Sequence, residues 1–222
     1  MNEINVLDNS LAEKSYAKTD YLVVKRGFDV LFALIGILLM MPLAIIIKVS
    51  YIITGDFASI FYKQLRIGKN GKLIKIYKFR SMIKGADVVL EKLLKQKEYK
   101  EQWEKNQKLD NDPRITPIGK IIRKLSLDEM PQFINVLRGD MSLIGPRPLV
   151  PGELDAHNGD HKLYESVRPG ITGWWACNGR SITSYDERLQ LEYYYVKNIS
   201  FKLDIECVFK TIKAVIKREG AK

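Results

Sequence analysis

Val30-Leu31-Phe32-Ala33-Leu34-Ile35-Gly36-Ile37-Leu38-Leu39-Met40-Met41-Pro42-Leu43-Ala44-Ile45-Ile46-Ile47 is eighteen residues without a single charge. At ~1.5 Å per helical residue it approaches the ~30 Å thickness of a bilayer's hydrocarbon core. It begins too far from the start of the chain, and its apolar run is too long, for a cleaved signal peptide. The segment therefore places the chain in or on a membrane and fixes how the rest must fold around it.

Charge on the two flanks bears on whether the segment crosses. Lys25 and Arg26 precede it, Lys48 follows it, and eight cations with no acid among them run from residue 58 to 86. Lys/Arg excess marks cytoplasmic flanks, so positive charge at both ends favours keeping both ends inside. Pro42 removes one backbone hydrogen bond and crowds the preceding turn, which is where a helix would bend back. Membrane helices also tolerate proline, so a straight span stays open. Flank charge and Pro42 favour a re-entrant hairpin with its break at Pro42.

Working outward, residues 1–22 are polar, mixed in charge and without apolar period, and read as a mobile tail. Residues 23–54 form the re-entrant membrane helix and residues 55–222 a cytoplasmic domain. The fold class expected is α+β: a mostly helical membrane-associated domain with the N-terminal hairpin, a small β-hairpin and amphipathic interfacial helices. At 222 residues and 46% hydrophobic composition the chain buries a core and is not disordered. Cys177 and Cys207, its only two cysteines, argue against a disulfide framework and suit a reducing compartment. A net charge of +10 calls for a polyanionic partner: nucleic acid, an anionic membrane surface or a phosphorylated substrate.

Asn70-Gly71, between two runs rich in Ile, Phe, Tyr and Leu, predicts a hairpin with strands near 60–67 and 73–79. Its cations suit a solvated face, and next to a membrane they also hold the body to anionic headgroups at ~1 kcal/mol each. The spacing of Val88, Val89, Leu93, Leu94, Tyr99 and Trp103 predicts one amphipathic helix over 87–108. Short helices are expected at 118–124 and 132–137, the second ended by Gly139. Residues 186–217 are helical, with Ile205, Val208, Phe209, Ile212, Val215 and Ile216 on one face; interfacial and core-packing roles fit that face equally. His157 and His161 are separated by Asn158-Gly159, which argues against the helix that two zinc ligands four apart would need.

Asp128 and Glu129 stand together in Lys124-Leu125-Ser126-Leu127-Asp128-Glu129-Met130-Pro131 and are the only acids between Asp112 and Asp140. The same interval holds Arg114, Lys120, Arg123, Lys124 and Arg138. Two carboxylates among five cations suggest an anionic substrate held by the basic groups while an acid performs the chemistry. A structural reading competes. Ser126 and Glu129 have the S-x-x-E spacing of a capping box, with Asp128 complementing the helix dipole. The tetrapeptide alone favours that structural reading, so its surroundings must decide.

Two further segments restrict the backbone. Gly145-Pro146-Arg147-Pro148 sets Arg147 between prolines, which preorganises a guanidinium for phosphate oxygens, although a rigid surface turn explains it equally well. Pro169-Gly170-Ile171-Thr172-Gly173, leading to Asn178-Gly179-Arg180, has glycines that let backbone N–H groups approach an anion.

Lys25-Arg26 with Asp29, the apolar segment with Pro42, Gln64-Leu65-Arg66-Ile67-Gly68, Lys78-Phe79-Arg80-Ser81-Met82, Asp112-Pro113-Arg114-Ile115-Thr116, Ser126 to Gln132, Arg138 to Pro148 and Pro169 to Trp174 occur in one order. In that order they resemble the bacterial sugar transferases, the monotopic phosphoglycosyl transferases that begin exopolysaccharide, capsule, O-antigen and glycoprotein glycan assembly. The resemblance runs from Lys25 to Ile216.

It implies transfer of a sugar 1-phosphate from a UDP-sugar to a polyprenol phosphate such as undecaprenyl phosphate, with release of UMP, at the cytoplasmic face of the bacterial inner membrane. Carried over, Asp128 is the nucleophile that takes the phosphosugar and Glu129 a Mg²⁺ ligand. Arg123, Arg147 and Arg180 are then phosphate-binding, with Arg114 and Arg80 as further members. The partners implied are the UDP-sugar, undecaprenyl phosphate, membrane lipids and downstream glycosyltransferases; nucleic acid is not expected, and a homodimer is compatible. The sugar expected is a neutral hexose, with an N-acetylated amino sugar as the alternative. From another class, a non-catalytic, membrane-tethered polyanion-binding protein remains as the competitor. The chain departs from the family at Trp175, Ala176 and Cys177, and Glu192 stands where the family has Asp, so no role is carried onto these four.

Overall fold

The computed structural model describes residues 2–106, 109–179 and 183–217. Its first element, α1 (Asn2–Ile53), is a single helix that carries Pro42 inside it. Residues 2–19, which read as a tail, have helical backbone, and no glycine or proline precedes Gly27 to interrupt it. Where two separate helices meeting at Pro42 are expected, helical backbone continues past the proline. From Asp20 to Ile53 the helix is long and apolar enough to cross a membrane by length and composition. Lys25, Asp29, Ala33, Gly36, Met40, Ile47 and Tyr51 form its buried stripe, at spacings of three, four or seven. The opposite flank exposes Leu31, Leu34, Leu38, Ile45 and Val49, an apolar surface too extended for water.

Next come β1 (Phe61–Ile67) and β2 (Leu73–Phe79), which pair as a two-stranded sheet. The expected turn lies between them, with positive φ at Asn70 and Gly71. The helix expected over 87–108 is instead two, α2 (Ala86–Leu93) and α3 (Lys97–Asn106). The bonds Lys95 N–H to Lys92 O and Gln96 N–H to Leu93 O tighten the chain to three-residue steps and end α2. Then follow α4 (Pro117–Lys124), α5 (Gln132–Arg138), β3 (Ser142–Ile144), α6 (His161–Tyr164), β4 (Gly170–Thr172), α7 (Trp174–Asn178), α8 (Tyr185–Lys197) and α9 (Phe201–Lys217).

Two compact units share this chain. One is built on α1 up to Leu38, on Lys63–Ile76 and on the chain from Gln132; the other on Leu39–Tyr62 and Tyr77–Pro131. The first unit has apolar clusters around Ala33, Ile74, Ile76, Val136 and Met141, and around Ile144, Tyr195, Val196, Leu203 and Cys207. It receives α1 through buried polar contacts. Lys25 Nζ meets Asp204 Oδ2 at 2.6 Å, Arg26 donates to the last carbonyls of α5 at Val136 and Leu137, and Asp29 accepts from Ser142 Oγ and Leu143 N–H.

In this unit β3 and β4 run parallel, Ser142 opposite Gly170 and Ile144 opposite Thr172. The two segments that read as separate rigid turns are thus one sheet. The glycines permit it: a Cβ at Gly170 would collide with the Gly145 backbone nitrogen, and one at Gly173 with the Gly145 carbonyl.

The second unit holds the other end of the apolar stretch. Lys48 donates to the Phe57 and Ala58 carbonyls, and the Tyr51 hydroxyl donates to the Arg80 carbonyl.

Candidate active site

In the second unit, α4 is capped by Thr116, whose hydroxyl accepts from Gly119 N–H, with Pro117 at the first helical position. Gly119 lies so close to the segment after β2 that a Cβ there would collide with the Ser81 carbonyl. That approach brings Ser81 beneath the last turn of α4, where Arg123 Nε donates to Ser81 Oγ at 2.8 Å. Two residues beyond the helix the chain turns sharply at Ser126, φ +55°. Leu127–Glu129 is then a single 3₁₀ turn that presents Asp128 and Glu129.

The capping box expected at Ser126 is absent. Ser126 is left-handed, its side chain caps nothing, and its N–H is taken by the Arg123 carbonyl. Glu129 reaches Lys78 instead, with Oε1 2.7 Å from Nζ. The pair is therefore not explained by a capping box, and Glu129 is engaged by a tertiary ion pair.

Asp128 is half-buried, and its carboxyl is held above the usual carboxylate range. Burial is the main cause and the adjacent Glu129 carboxylate adds to it, while Lys78 and Arg123 act in the opposite direction. The cations thus offset part of a cost that two neighbouring acids would otherwise bear. Arg114 and Arg80 have partners of their own. Arg114 grips Asp112 through two bonds of 2.9 and 2.7 Å and is almost fully buried. Arg80 binds Asp56 Oδ2 at 2.7 Å, donates to the Ser59 carbonyl and lies over the Tyr51 ring.

Arg147 belongs to the first unit. Its side chain is exposed and stands over the Trp175 ring at 5.7 Å, a ring that Arg188 also covers at 4.7 Å. Trp175 Nε1 donates to Thr183 Oγ1 at 2.8 Å. Glu192 is buried beside them, with one carboxylate oxygen accepting from Arg147 N–H at 3.0 Å and the other without a hydrogen-bond partner. Burial pushes its carboxyl up to about 7 against the pull of the Arg147 N–H bond and the Arg188 and Arg147 charges. Arg180 lies outside the described residues.

The family model described as Bacterial sugar transferase matches residues 20–218. The chain belongs to this family. It is 43% identical over 216 residues to the undecaprenyl-phosphate galactose phosphotransferase of Salmonella typhimurium, covering 97% of this chain and 44% of that one. It is 42% identical over 200 residues to the exopolysaccharide production protein ExoY of Sinorhizobium fredii, covering 90% of this chain and 88% of that protein. With the UDP-N-acetylgalactosamine-undecaprenyl-phosphate N-acetylgalactosaminephosphotransferase of Aeromonas hydrophila the identity is 39% over 212 residues, 91% of this chain and 46% of that one. The chain therefore spans less than half of two of these relatives and most of the third.

Within this sugar transferase the acids fit a hard cation. Among the described residues no group of three or more His, Cys, Asp or Glu is placed to hold a metal. Asp128 and Glu129 offer two adjacent carboxylates, the protein share that Mg²⁺ takes when substrate phosphates and water complete its shell. The sequence reading missed Lys78 and Ser81 as members of the site. Lys78 continues, at period two, the register of Ile74 and Ile76, both buried, and a cation in that register is the signal that could have found it.

Proposed function

We propose that this sugar transferase moves a sugar 1-phosphate from a UDP-sugar to undecaprenyl phosphate. The Asp128 carboxylate attacks the phosphorus next to the sugar, the bond to the UMP oxygen breaks, and UMP leaves. The phosphate oxygen of undecaprenyl phosphate then attacks the same phosphorus, expels the carboxylate and yields the undecaprenyl-diphosphate sugar. Splitting the transfer in this way requires cations around the acid, because two anions must meet. The observation that carries the reading is the turn that sets Asp128 beside Glu129, with Lys78 paired to Glu129 and Arg123 held on Ser81, within a family match over residues 20–218.

Mg²⁺ would be held by Glu129, with Asp128 beside it, and when bound supplies positive charge to the substrate phosphates. Arg123, in the unit that carries Asp128, receives phosphate oxygens, and Arg147 and Arg180 are each assigned to phosphate by the family resemblance. Arg80 and Arg114 serve less directly, through the segments they tie. The sugar is a neutral hexose, galactose or glucose; the name of the Aeromonas relative keeps an N-acetylated amino sugar as the alternative.

The catalytic part sits at the cytoplasmic face, and α1 enters the bilayer and returns by bending at Pro42. Support comes from both ends of the apolar stretch, each bound by folded protein: Lys25, Arg26 and Asp29 in one unit, Lys48 and Tyr51 in the other. The proline also leaves the Leu38 carbonyl without its helical donor. On α9, Phe201, Ile205, Val208, Phe209 and Ile212 are exposed and Phe201 contacts Phe28 of α1 at 5.6 Å, so we place that face in the same interface.

The test is UMP release from UDP-galactose, UDP-glucose and their N-acetylated counterparts, with undecaprenyl phosphate and Mg²⁺, alongside mass spectrometry of the Asp128 peptide after UDP-sugar alone. A phosphohexose adduct on that peptide is expected. UMP release that survives Asp128→Asn would end the nucleophile assignment. No release from any UDP-sugar would favour the non-catalytic polyanion-binding reading.

A further inference from the structure

The backbone from Gly145 to Leu149 is held at every step. Gly145 N–H donates to Thr172 O, Pro146 O accepts from Gly170 N–H, Pro148 O from Arg66 Nη1, and Leu149 O from Ile67 N–H. Arg147 differs from its neighbours in that both of its peptide groups are met by buried carboxylate or hydroxyl side chains from other elements. Its N–H donates to Glu192 Oε1 of α8 at 3.0 Å, and its carbonyl accepts from the Tyr164 hydroxyl of α6 at 2.9 Å. Glu192 is 1% and Tyr164 4% exposed, whereas Arg147 itself is exposed.

A buried carboxylate is costly to place, and its second oxygen has no hydrogen-bond partner. An apolar side chain would fill the space without the cost of a buried carboxylate but would leave the Arg147 N–H without its acceptor, so Glu192 serves that peptide and not packing alone. The prolines on either side already fix the neighbouring φ angles; Arg147 ψ and the orientation of its flanking peptide planes are what the two side chains add. With its stem so fixed, the guanidinium above Trp175 has less freedom to lose when it meets an anion.

We propose that Tyr164 and Glu192 are positioning residues for Arg147, holding its peptide from both sides so that the guanidinium is preset for the substrate's phosphate. The proposal rests on the reading of Arg147 as a phosphate-binding residue. It assigns neither Tyr164 nor Glu192 any contact with substrate.

The experiment is steady-state UMP release by the full chain in detergent with undecaprenyl phosphate, Mg²⁺ and the UDP-sugar that turns over in the panel above. Tyr164→Phe removes only the hydroxyl and should raise KM for the UDP-sugar about 2- to 10-fold, the span of one net hydrogen bond, with a smaller change in kcat. In an Arg147→Ala background the same substitution should change nothing further. Glu192→Gln keeps an oxygen for the N–H and should stay near wild-type KM, while Glu192→Leu should behave like Tyr164→Phe. Effects of Tyr164→Phe and Arg147→Ala that multiply independently would overturn the proposal, as would an unchanged KM in Tyr164→Phe. If Arg147→Ala alone leaves KM unaltered, the phosphate assignment falls and takes the proposal with it. Should Tyr164→Phe not fold, the Glu192→Leu and Glu192→Gln pair completes the same cycle with the same two outcomes.

Discussion

Lys78 Nζ lies 2.7 Å from Glu129 Oε1, one residue along from the acid whose carboxyl is raised by burial and by Glu129 itself. Lys78 is also the first of the charges that oppose this rise. Replacing it with Met should let Asp128 rise further, so the acid limb of the pH–rate profile moves to higher pH. Turnover should fall about 10- to 1,000-fold, the loss typical of removing one fixed charge from a reacting anion. The pair is about a third exposed on the glutamate side, so stability should change by less than about 1 kcal/mol. A profile whose acid limb stays in place would show that Lys78 does not act on Asp128.

Asp128→Asn should abolish UMP release, by at least about 1,000-fold, as expected for loss of a nucleophile. Stability should move the other way. A carboxyl raised in the folded state binds its proton more tightly there than in the unfolded chain, so its contribution is favourable below the ordinary Asp range and is lost as pH rises through the folded value. At neutral pH the asparagine variant should therefore melt no lower than wild type. The gap should close in acid. Thermal unfolding of both proteins across that range provides the measurement, and a variant less stable at pH 7 contradicts the sign.

Gly170→Ala should disrupt the first unit without touching any acid. The added methyl collides with the Gly145 backbone, which cannot retreat while Gly145 N–H donates to Thr172 O and Gly170 N–H to Pro146 O. A loss of about 1 to 3 kcal/mol is expected, typical of overpacking. Gly152→Ala, with open space around it but positive φ, should cost less. Equal losses at the two positions would mean that close approach is not what fixes Gly170.

Turn chemistry contained in two adjacent residues is legible in a sequence, whereas contact between distant backbones is not. The β-hairpin was legible because Asn70-Gly71 carries its own turn chemistry within two residues. The pairing of β3 with β4 was not, because three-residue strands 28 positions apart leave no periodic signal and depend on contact between glycine backbones. The acid pair was visible from its basic surroundings, yet its local geometry was misread. Positive φ at Ser126 is uncommon for a serine, and with the backbone left-handed there the S-x-x-E spacing pointed to a cap that does not form. Nor could spacing disclose that Arg114 closes on Asp112 two residues away, or that Lys78 on β2 would meet Glu129 across 51 positions.

Glu192 gives the chain a pH-dependent stability of its own. Its carboxyl sits near 7 when folded and near 4.5 in an unperturbed chain, with burial the first cause. Between those values the folded state keeps a proton that the unfolded state has released, so stability falls as pH rises from about 4.5 to about 7 and is flat beyond. Glu192→Gln removes this slope. The variant should match wild type near pH 4.5 and exceed it at pH 7 and above in denaturant unfolding. Parallel curves for the two proteins would mean that the carboxylate is compensated when folded.

The membrane arrangement rests on α1 and yields to labelling. Asp20–Ile53 is 34 residues, which as a straight helix extends about 51 Å at 1.5 Å per residue, well beyond a hydrocarbon core of ~30 Å. Its cationic ends are both engaged by folded protein, Lys25 by Asp204 and Lys48 by the Phe57 and Ala58 carbonyls. A bend at Pro42 accommodates both facts, because the hydrogen bond missing at Leu38 is the one that would resist it. A single cysteine at position 5, with Cys177 and Cys207 replaced, should stay unlabelled by an impermeant maleimide in intact cells and react once they are permeabilised. A control cysteine at position 217 should behave identically. Restoring the bond with Pro42→Leu should shift position 5 toward outside labelling, since a straightened helix favours crossing. Labelling of position 5 in intact cells carrying the unaltered proline would establish a span and remove the hairpin.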